Sequence, residues 1–230
     1  MINFNNHISN LTEHETVNSV RRALGDIELK IWDESNLNTF ENLDKNLFDS
    51  LPSWSQKSDI VRYEALYRYG GLYIDTDYYF WIWDKENENY DIVVGLEAPE
   101  EDVVGTSFIY ASKPGLGTFK NILDNFREKY ILASLVYGSE DAARNCGPQM
   151  VTEFFARSQD KVRIMPTKYY LDRRIWHPSG YNNLYKEYYP YLKGIHMNNC
   201  SWGSIKNTAL LRAIADQWIL KNPGSQEKRE

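Results

Sequence analysis

Between Ser55 and Phe80 the chain reads SQKSDIVRYEALYRYGGLYIDTDYYF, and this stretch gathers residue types that can do chemistry. Asp59 and Arg62 stand three apart, which puts them on one face of a helix. Most pairs at that spacing are exposed ion pairs. Here Ile60, Val61, Ala65 and Leu66 crowd around them, so partial enclosure is expected. Gly70-Gly71 then leads directly into the apolar Leu72-Tyr73-Ile74, and two carboxylates follow one residue apart, Asp75 and Asp77. Carboxylates that close are costly unless something positive joins them. A hard divalent cation does so, and carboxylate, water and diphosphate oxygens are the ligand set that Mg²⁺ or Mn²⁺ prefers. An isolated Asp-x-Asp is a common chance pattern. One that follows a Gly-Gly turn and an apolar strand, behind a helix bearing Asp and Arg, is far more specific.

The elements that must position these groups read as an α/β arrangement. Residues 2–8 are expected to form a short strand. A helix is expected over 11–24, with Leu11, Val17, Val20 and Leu24 on one side and Gly25 as its stop. Ile27, Leu29 and Ile31 alternate, so a strand is expected over 27–32. Ser53 or Ser55 can cap a helix running to about Tyr69, which Gly70-Gly71 ends in a left-handed turn. The following strand, 72–75, places its carboxylates where ligands gather in α/β sheets, beyond a strand's carboxyl end. Further strands are expected over 92–96, 106–111 and 162–165, and helices over 116–130 and 148–157. The Tyr-rich stretch 168–193 reads as irregular, and 208–220 as a last amphipathic helix that docks on the core. Residues 1–221 are expected to form a single domain, with 222–230 a disordered polar tail.

Composition removes several function classes. At 230 residues, 42% of them hydrophobic, the chain can build a proper core. Its net charge of −6, without a basic run, argues against nucleic acid as a partner. A phosphorylated substrate remains compatible, because a bound cation reverses the local field. Seventeen Tyr and seven Trp are a resource for stacking on sugar rings, although most of them are expected to fill the core. Cys146 and Cys200 lack metal-binding spacing, and reduced thiols in a cytoplasmic setting are the simpler expectation. Neither a signal peptide nor a transmembrane segment is expected.

The segment 58–77 resembles the signature of the Asp-x-Asp sugar-binding glycosyltransferases of family thirty-two, which include capsular-polysaccharide, α-mannosyl and α-galactosyl transferases. Ile31-Trp32-Asp33-Glu34 resembles the strand that precedes the signature, and His196-x-x-x-x-Ser201-Trp202 resembles the family's closing element. The resemblance implies a GT-A fold, a Rossmann-like mixed sheet flanked by helices. It implies a retaining, metal-dependent hexosyltransferase using a nucleotide-sugar donor, with a UDP-sugar favoured over a GDP-sugar, and a glycan acceptor in polysaccharide biosynthesis. By the same resemblance Asp77 would hold Mn²⁺ or Mg²⁺ on the diphosphate. Asp75 would bind ribose and donor sugar and approach the metal. Asp59 and Arg62 would hold sugar hydroxyls, with Tyr73 beside them. His196 would be a second metal ligand or a phosphate contact, and Ser201 and Trp202 would cover the diphosphate. The opening residues, MINFNNHI, depart from the family in lacking its Trp, which leaves Phe4, Asn5 and Asn6 as the local choices for contact with the base. The middle segment lacks the Asn often found before its Gly-rich turn, a place Thr106 and Ser107 can fill.

Asn145-Cys146-Gly147-Pro148 resembles a Gly-Pro element on the family's acceptor side, and equally suits a helix N-terminus. Glu97 can face an acceptor cleft or simply be exposed. His7, His14, His177 and the Arg173-Arg174 pair read as structural or surface groups. Two other functions compete with the transferase. An Asp-x-Asp phosphatase wants Thr or Val two residues after the second Asp, where this chain has Tyr79. A catalytically inactive sugar- or nucleotide-binding protein of the same fold would not need Asp59, Arg62, Asp75 and Asp77 together.

Overall fold

The computed structural model describes residues 1, 2, 4, 10, 12, 14–25, 27–40, 43–98, 101–167, 169–172 and 191–196. Helix α1 (Glu15–Leu24) starts where the His14 side chain accepts from the Thr16 N–H and ends at Gly25. It buries Thr16, Val17, Ser19 and Val20. The short α2 (Lys45–Ser50) is capped by Asp44, whose carboxylate accepts from the Leu47 N–H at 2.9 Å. Helix α3 (Trp54–Tyr69) opens on the first of the two expected serines. Ser53 and Gln56 form a reciprocal capping box, which satisfies two of the N–H groups that a helix start leaves unpaired.

Gly70 closes α3, its N–H donating to the Leu66 carbonyl at 2.9 Å. Its φ of +64° favours glycine, and a Cβ there would meet the Lys113 backbone at 2.8 Å. The chain turns at once into β1 (Gly71–Ile74), then β2 (Tyr78–Phe80), β3 (Ile92–Ala98) and β4 (Glu101–Ala111). Helix α4 (Gly117–Arg144) and the irregular helical turn Asn145–Gln149 lead to α5 (Met150–Ala156). Strands β5 (Val162–Met165), β6 (Tyr170–Asp172) and β7 (Gly194–His196) follow.

The central sheet is mixed, in the order β1-β4-β3-β5. β4 lies antiparallel between β1 and β3, and β5 runs parallel to β3. One face packs Tyr73, Val94, Ile109 and Ala111 against Ile60, Tyr63, Phe119 and Phe126 of α3 and α4. The other face packs Ile74, Val93 and Phe108 against Val17 and Val20 of α1 and against a second sheet, ordered β2-β7-β6. The fold is therefore mixed α/β, a central mixed sheet with helices on both sides, as a GT-A glycosyltransferase domain requires.

The alternating run 27–32 does not form the expected strand. Its backbone contributes a single parallel bridge, Ile2 to Trp32, with the Trp32 N–H donating to the Met1 carbonyl at 2.9 Å. Leu29 and Ile31 still pack inward, so the alternation is expressed in side-chain burial rather than in a ladder. Most of the expected 2–8 strand, and all of 208–220 and the tail, lie outside the described residues. Helix α4 runs fourteen residues past its expected end at Tyr130. Just beyond that point Ile131, Leu132 and Leu135 are 48%, 50% and 78% exposed, so burial does not mark where the helix continues.

Candidate metal and donor-sugar site

β1 carries Tyr73 and ends one residue before Asp75. The ladder continues past it, because the Asp75 N–H donates to the Ser107 carbonyl at 2.9 Å. A tight turn follows, with the Tyr78 N–H donating to the Asp75 carbonyl at 3.1 Å. Helix α1 holds this turn from below. Thr16 Oγ1 donates to the Thr76 carbonyl at 2.7 Å, and the Phe80 N–H donates to Ser19 Oγ at 3.0 Å. These two hydroxyls, buried among apolar neighbours on α1, are the reason that helix matters to the site. Two polar residues on an otherwise core-facing side were their only signal in the sequence.

Asp75 and Asp77 therefore project from a braced turn. β7 pairs with β2 in a register that sets His196 opposite Tyr78, and the two rings stack with centroids 6.0 Å apart. This delivers His196 Nε2 to 3.1 Å from Asp77 Oδ1 and 3.6 Å from Asp75 Oδ2. One ligand atom from each of Asp75, Asp77 and His196 falls within 4.8 Å of the other two. Two hard carboxylate oxygens and an imidazole nitrogen can share one divalent ion, and Mn²⁺ suits that mixed set. The three residues thus fit the cation that the Asp-x-Asp spacing calls for.

On the other side of Asp75 lies a second, drier group. Asp59 and Arg62 are each 5% exposed on α3, more enclosed than their spacing required. Arg62 Nη1 donates to the Thr106 carbonyl at 2.7 Å, and Nη2 lies 3.3 Å from Asp59 Oδ1 and 3.8 Å from Asp75 Oδ1. The guanidinium sits 4.8 Å over the Tyr73 ring, and the Tyr73 hydroxyl donates to Asp75 Oδ1 at 2.5 Å. Burial opposes the charge on Arg62, but Tyr73, Asp75 and Asp59 outweigh it and hold the group protonated. Burial also raises the Tyr73 phenol well above its ordinary range, so it remains a donor to Asp75. Asp59 is pushed up to about 6, because burial and Asp75 together exceed the pull of Arg62. Asp75 thus has one oxygen in the dry group and one toward the metal group.

The remaining expected residues fall elsewhere. The Phe4 ring is buried against Phe48 and Trp54, with centroids 5.9 and 5.1 Å away. Glu97 and Ser107 share a small recess with Gly95, Gly105 and His196. Asn5, Ser201, Trp202, His7, His177 and the Arg173-Arg174 pair lie outside the described residues. Gly147 comes close to Asp59, a proximity across 88 positions that no local pattern announces. A larger cavity of about 330 Å³ runs along the outer edge of β1 between Trp32, Leu66, Tyr69 and Leu72, and none of the site's carboxylates lines it. Among the described residues, no helix is long and apolar enough to cross a membrane.

Residues 11–88 match the family described as the glycosyltransferase sugar-binding region containing the DXD motif, a span that takes in α1, α3, β1 and both aspartates. That segment is what the chain shares with the DXD glycosyltransferases. No curated protein matches it. His196, Thr106 and Gly147 lie beyond the matched span.

Proposed function

We propose that this chain is a retaining hexosyltransferase that moves a sugar from a nucleoside-diphosphate donor, a UDP-sugar in the first instance, to a hydroxyl of a glycan acceptor. The observation that carries the reading is the convergence of Asp75, Asp77 and His196 immediately beside the buried Asp59–Arg62 pair. Asp77 and His196 would hold the divalent ion, with Asp75 as a third ligand. When bound, the ion neutralises charge that builds on the departing diphosphate.

The other residues bind and orient. Asp59 and Arg62 face the sugar as a hydrogen-bond acceptor and donor pair. Tyr73 keeps Asp75 in place through its hydroxyl, so that one carboxylate serves the sugar side and the metal side together. Retention of configuration, the UDP preference and the roles of Asn5, Ser201 and Trp202 rest on the family resemblance, whereas the burial of Phe4 against Phe48 and Trp54 removes it from contact with the base. A cytoplasmic setting and a part in polysaccharide synthesis fit such a donor. Mn²⁺ is favoured over Mg²⁺ because an imidazole joins the carboxylates.

The test is Asp77→Asn with Mn²⁺ and a panel of UDP- and GDP-sugars. The wild type should gain thermal stability from UDP only with metal, by about 2.7 kcal/mol at 100 times the dissociation constant. The variant should keep its metal-free melting temperature, lose that gain, and lose about 100-fold or more in donor turnover. Near-normal turnover in Asp77→Asn would sink the metal assignment. Stabilisation by GDP in place of UDP would move the donor assignment to GDP-sugars.

A further inference from the structure

The cavity of about 330 Å³ beside β1 lies between two stretches of open backbone. β1 ends the central sheet, with β4 on one side only. The Asp75 N–H donates to the Ser107 carbonyl, so in this antiparallel ladder Gly71, Tyr73 and Asp75 turn their backbone groups toward β4. Leu72 and Ile74 turn theirs the other way, into the cavity. Among the described residues neither has a hydrogen-bond partner on that side. The opposite wall is the segment 27–31, whose N–H groups likewise have no backbone partner among the described residues. Between the walls lie apolar side chains, Val20 and Leu24 from α1 and Ala65 and Leu66 from α3.

Met1 closes one end of this space. Its amino group donates to the Lys30 carbonyl at 3.1 Å, and its carbonyl accepts from the Trp32 N–H at 2.9 Å. That is the bonding pattern of parallel strands, with Met1 in register opposite Ile31. The bridge from Ile2 to Trp32 continues it. Met1 is 7% exposed, and burial pushes its amine down to about 5 against the opposing pull of Asp75. An ammonium is costly in such a place. An amide N–H would make the same bond to Lys30 with no charge to desolvate.

We propose that the cavity is a strand site, filled by an extended polypeptide segment joined to the Met1 nitrogen and running parallel to both walls. About four residues of strand, roughly 13 Å, match the length of β1 from Gly71 to Ile74. Met1 gives its backbone groups to Lys30 and Trp32, so the residue ahead of it turns its own toward Leu72 and Ile74. The next residue back turns toward Glu28 and Lys30. The open groups on both walls are then paired, which removes an exposed sheet edge. A strand with neighbours on both sides and side chains above and below is an apolar, β-branched run. A segment of another molecule would end where Met1 blocks its path, with its own carboxylate desolvated, or would have to turn out of the sheet there. A peptide bond to Met1 avoids both costs, and for that reason the occupant is this chain.

The experiment compares the unextended chain with two forms that carry Met-Val-Ile-Val-Ile or Met-Gly-Ser-Gly-Ser ahead of Met1. It reads the melting temperature and residue-resolved amide hydrogen exchange by NMR. In the unextended chain the Lys30 and Leu72 amides should exchange at least about tenfold faster than that of Tyr73, which pairs with Ile109. The apolar extension should slow both by about tenfold or more and raise the melting temperature by about 5 °C. The Gly-Ser extension should do neither. Lys30 and Leu72 amides that are already slow in the unextended chain would overturn the proposal, and so would equal responses to the two extensions. An apolar extension that lowers the melting temperature or prevents folding would overturn it as well. Blocked Val-Ile-Val-Ile peptide added to the unextended chain separates a partner in trans. Protection by that peptide, with none from the fused extension, would assign the cavity to another molecule. Protection that grows with protein concentration alone would assign it to a second copy, and either result ends the upstream-strand reading.

Discussion

Arg62 organises the site at the scale of single residues. Its guanidinium lies against Asp59, Asp75 and the Tyr73 ring, and Thr106 holds it in that orientation. Even so, it does not fully offset the burial of Asp59, whose carboxyl is pushed up to about 6. In the unfolded chain the same group titrates near the ordinary Asp value of about 4. Between those two pH values the folded state binds more protons than the unfolded state, so stability falls as pH rises through that window. Below it both states are protonated and the group contributes nothing; above it the burial cost of the charge is fully present. Asp59→Asn removes this dependence. In metal-free protein the variant should therefore gain on the wild type between pH 4 and pH 7.5, by about 3 kcal/mol at most. Guanidinium melts at the two pH values measure this, and a stability difference that stays constant with pH would show that Asp59 does not ionise in that window.

At the scale of elements, the register of β7 on β2 decides whether His196 reaches Asp77. Gly194 makes that register possible, because a Cβ there would lie 2.7 Å from Tyr78 Cε1 and 3.0 Å from the Tyr79 carbonyl oxygen. Its neighbours are the ring that stacks on His196 and the backbone that pairs with β7. Gly194→Ala must push the two strands apart. It should weaken Mn²⁺ binding at least about tenfold, while costing the metal-free protein only about 1–3 kcal/mol, as overpacking does. Titration calorimetry with Mn²⁺ reads the first quantity and thermal melting the second. Unaltered Mn²⁺ affinity would mean that His196 is not a ligand. The same scale shows where local pattern was sufficient. Ser53, Gln56 and Gly70 delimit α3 because capping and left-handed turns are properties of a few adjacent residues. The run 27–32 misled because alternation reports which side chains face inward, whereas a strand also needs a partner backbone in register.

Across the whole molecule, the metal group joins two sheets. Asp75 extends the central sheet, Asp77 lies in the turn beyond it, and His196 belongs to the β2-β7-β6 sheet. Without metal the sheets meet through an aromatic stack. Phe108 of the central sheet lies 5.8 Å from Phe80 and 4.5 Å from Tyr170 of the smaller one, by ring centroids. An ion held by all three residues adds a second tie. Mn²⁺ should therefore slow amide hydrogen exchange in β2 and β7 by about tenfold or more, with a much smaller effect in β3 and β5. Uniform slowing across both sheets, or none, would place the ion elsewhere.

Sequence by itself determined the Asp-x-Asp turn, the helix that carries Asp59 and Arg62, the glycines between them, and the α/β class. All but the α/β class, which was read from elements along the chain, are encoded within about twenty neighbouring residues by spacing, capping and apolar runs, and that locality made them legible. His196 entered only through its family resemblance, and Gly147 only as part of a Gly-Pro element. Tertiary structure alone decided that His196 meets Asp77 across 119 positions, that the Thr106 carbonyl anchors Arg62, and that Gly147 faces Asp59. Those encounters depend on strand register and on how the α4–α5 turn packs over α3. They are set by the free energy of burying two core faces at once, which no short stretch of sequence expresses.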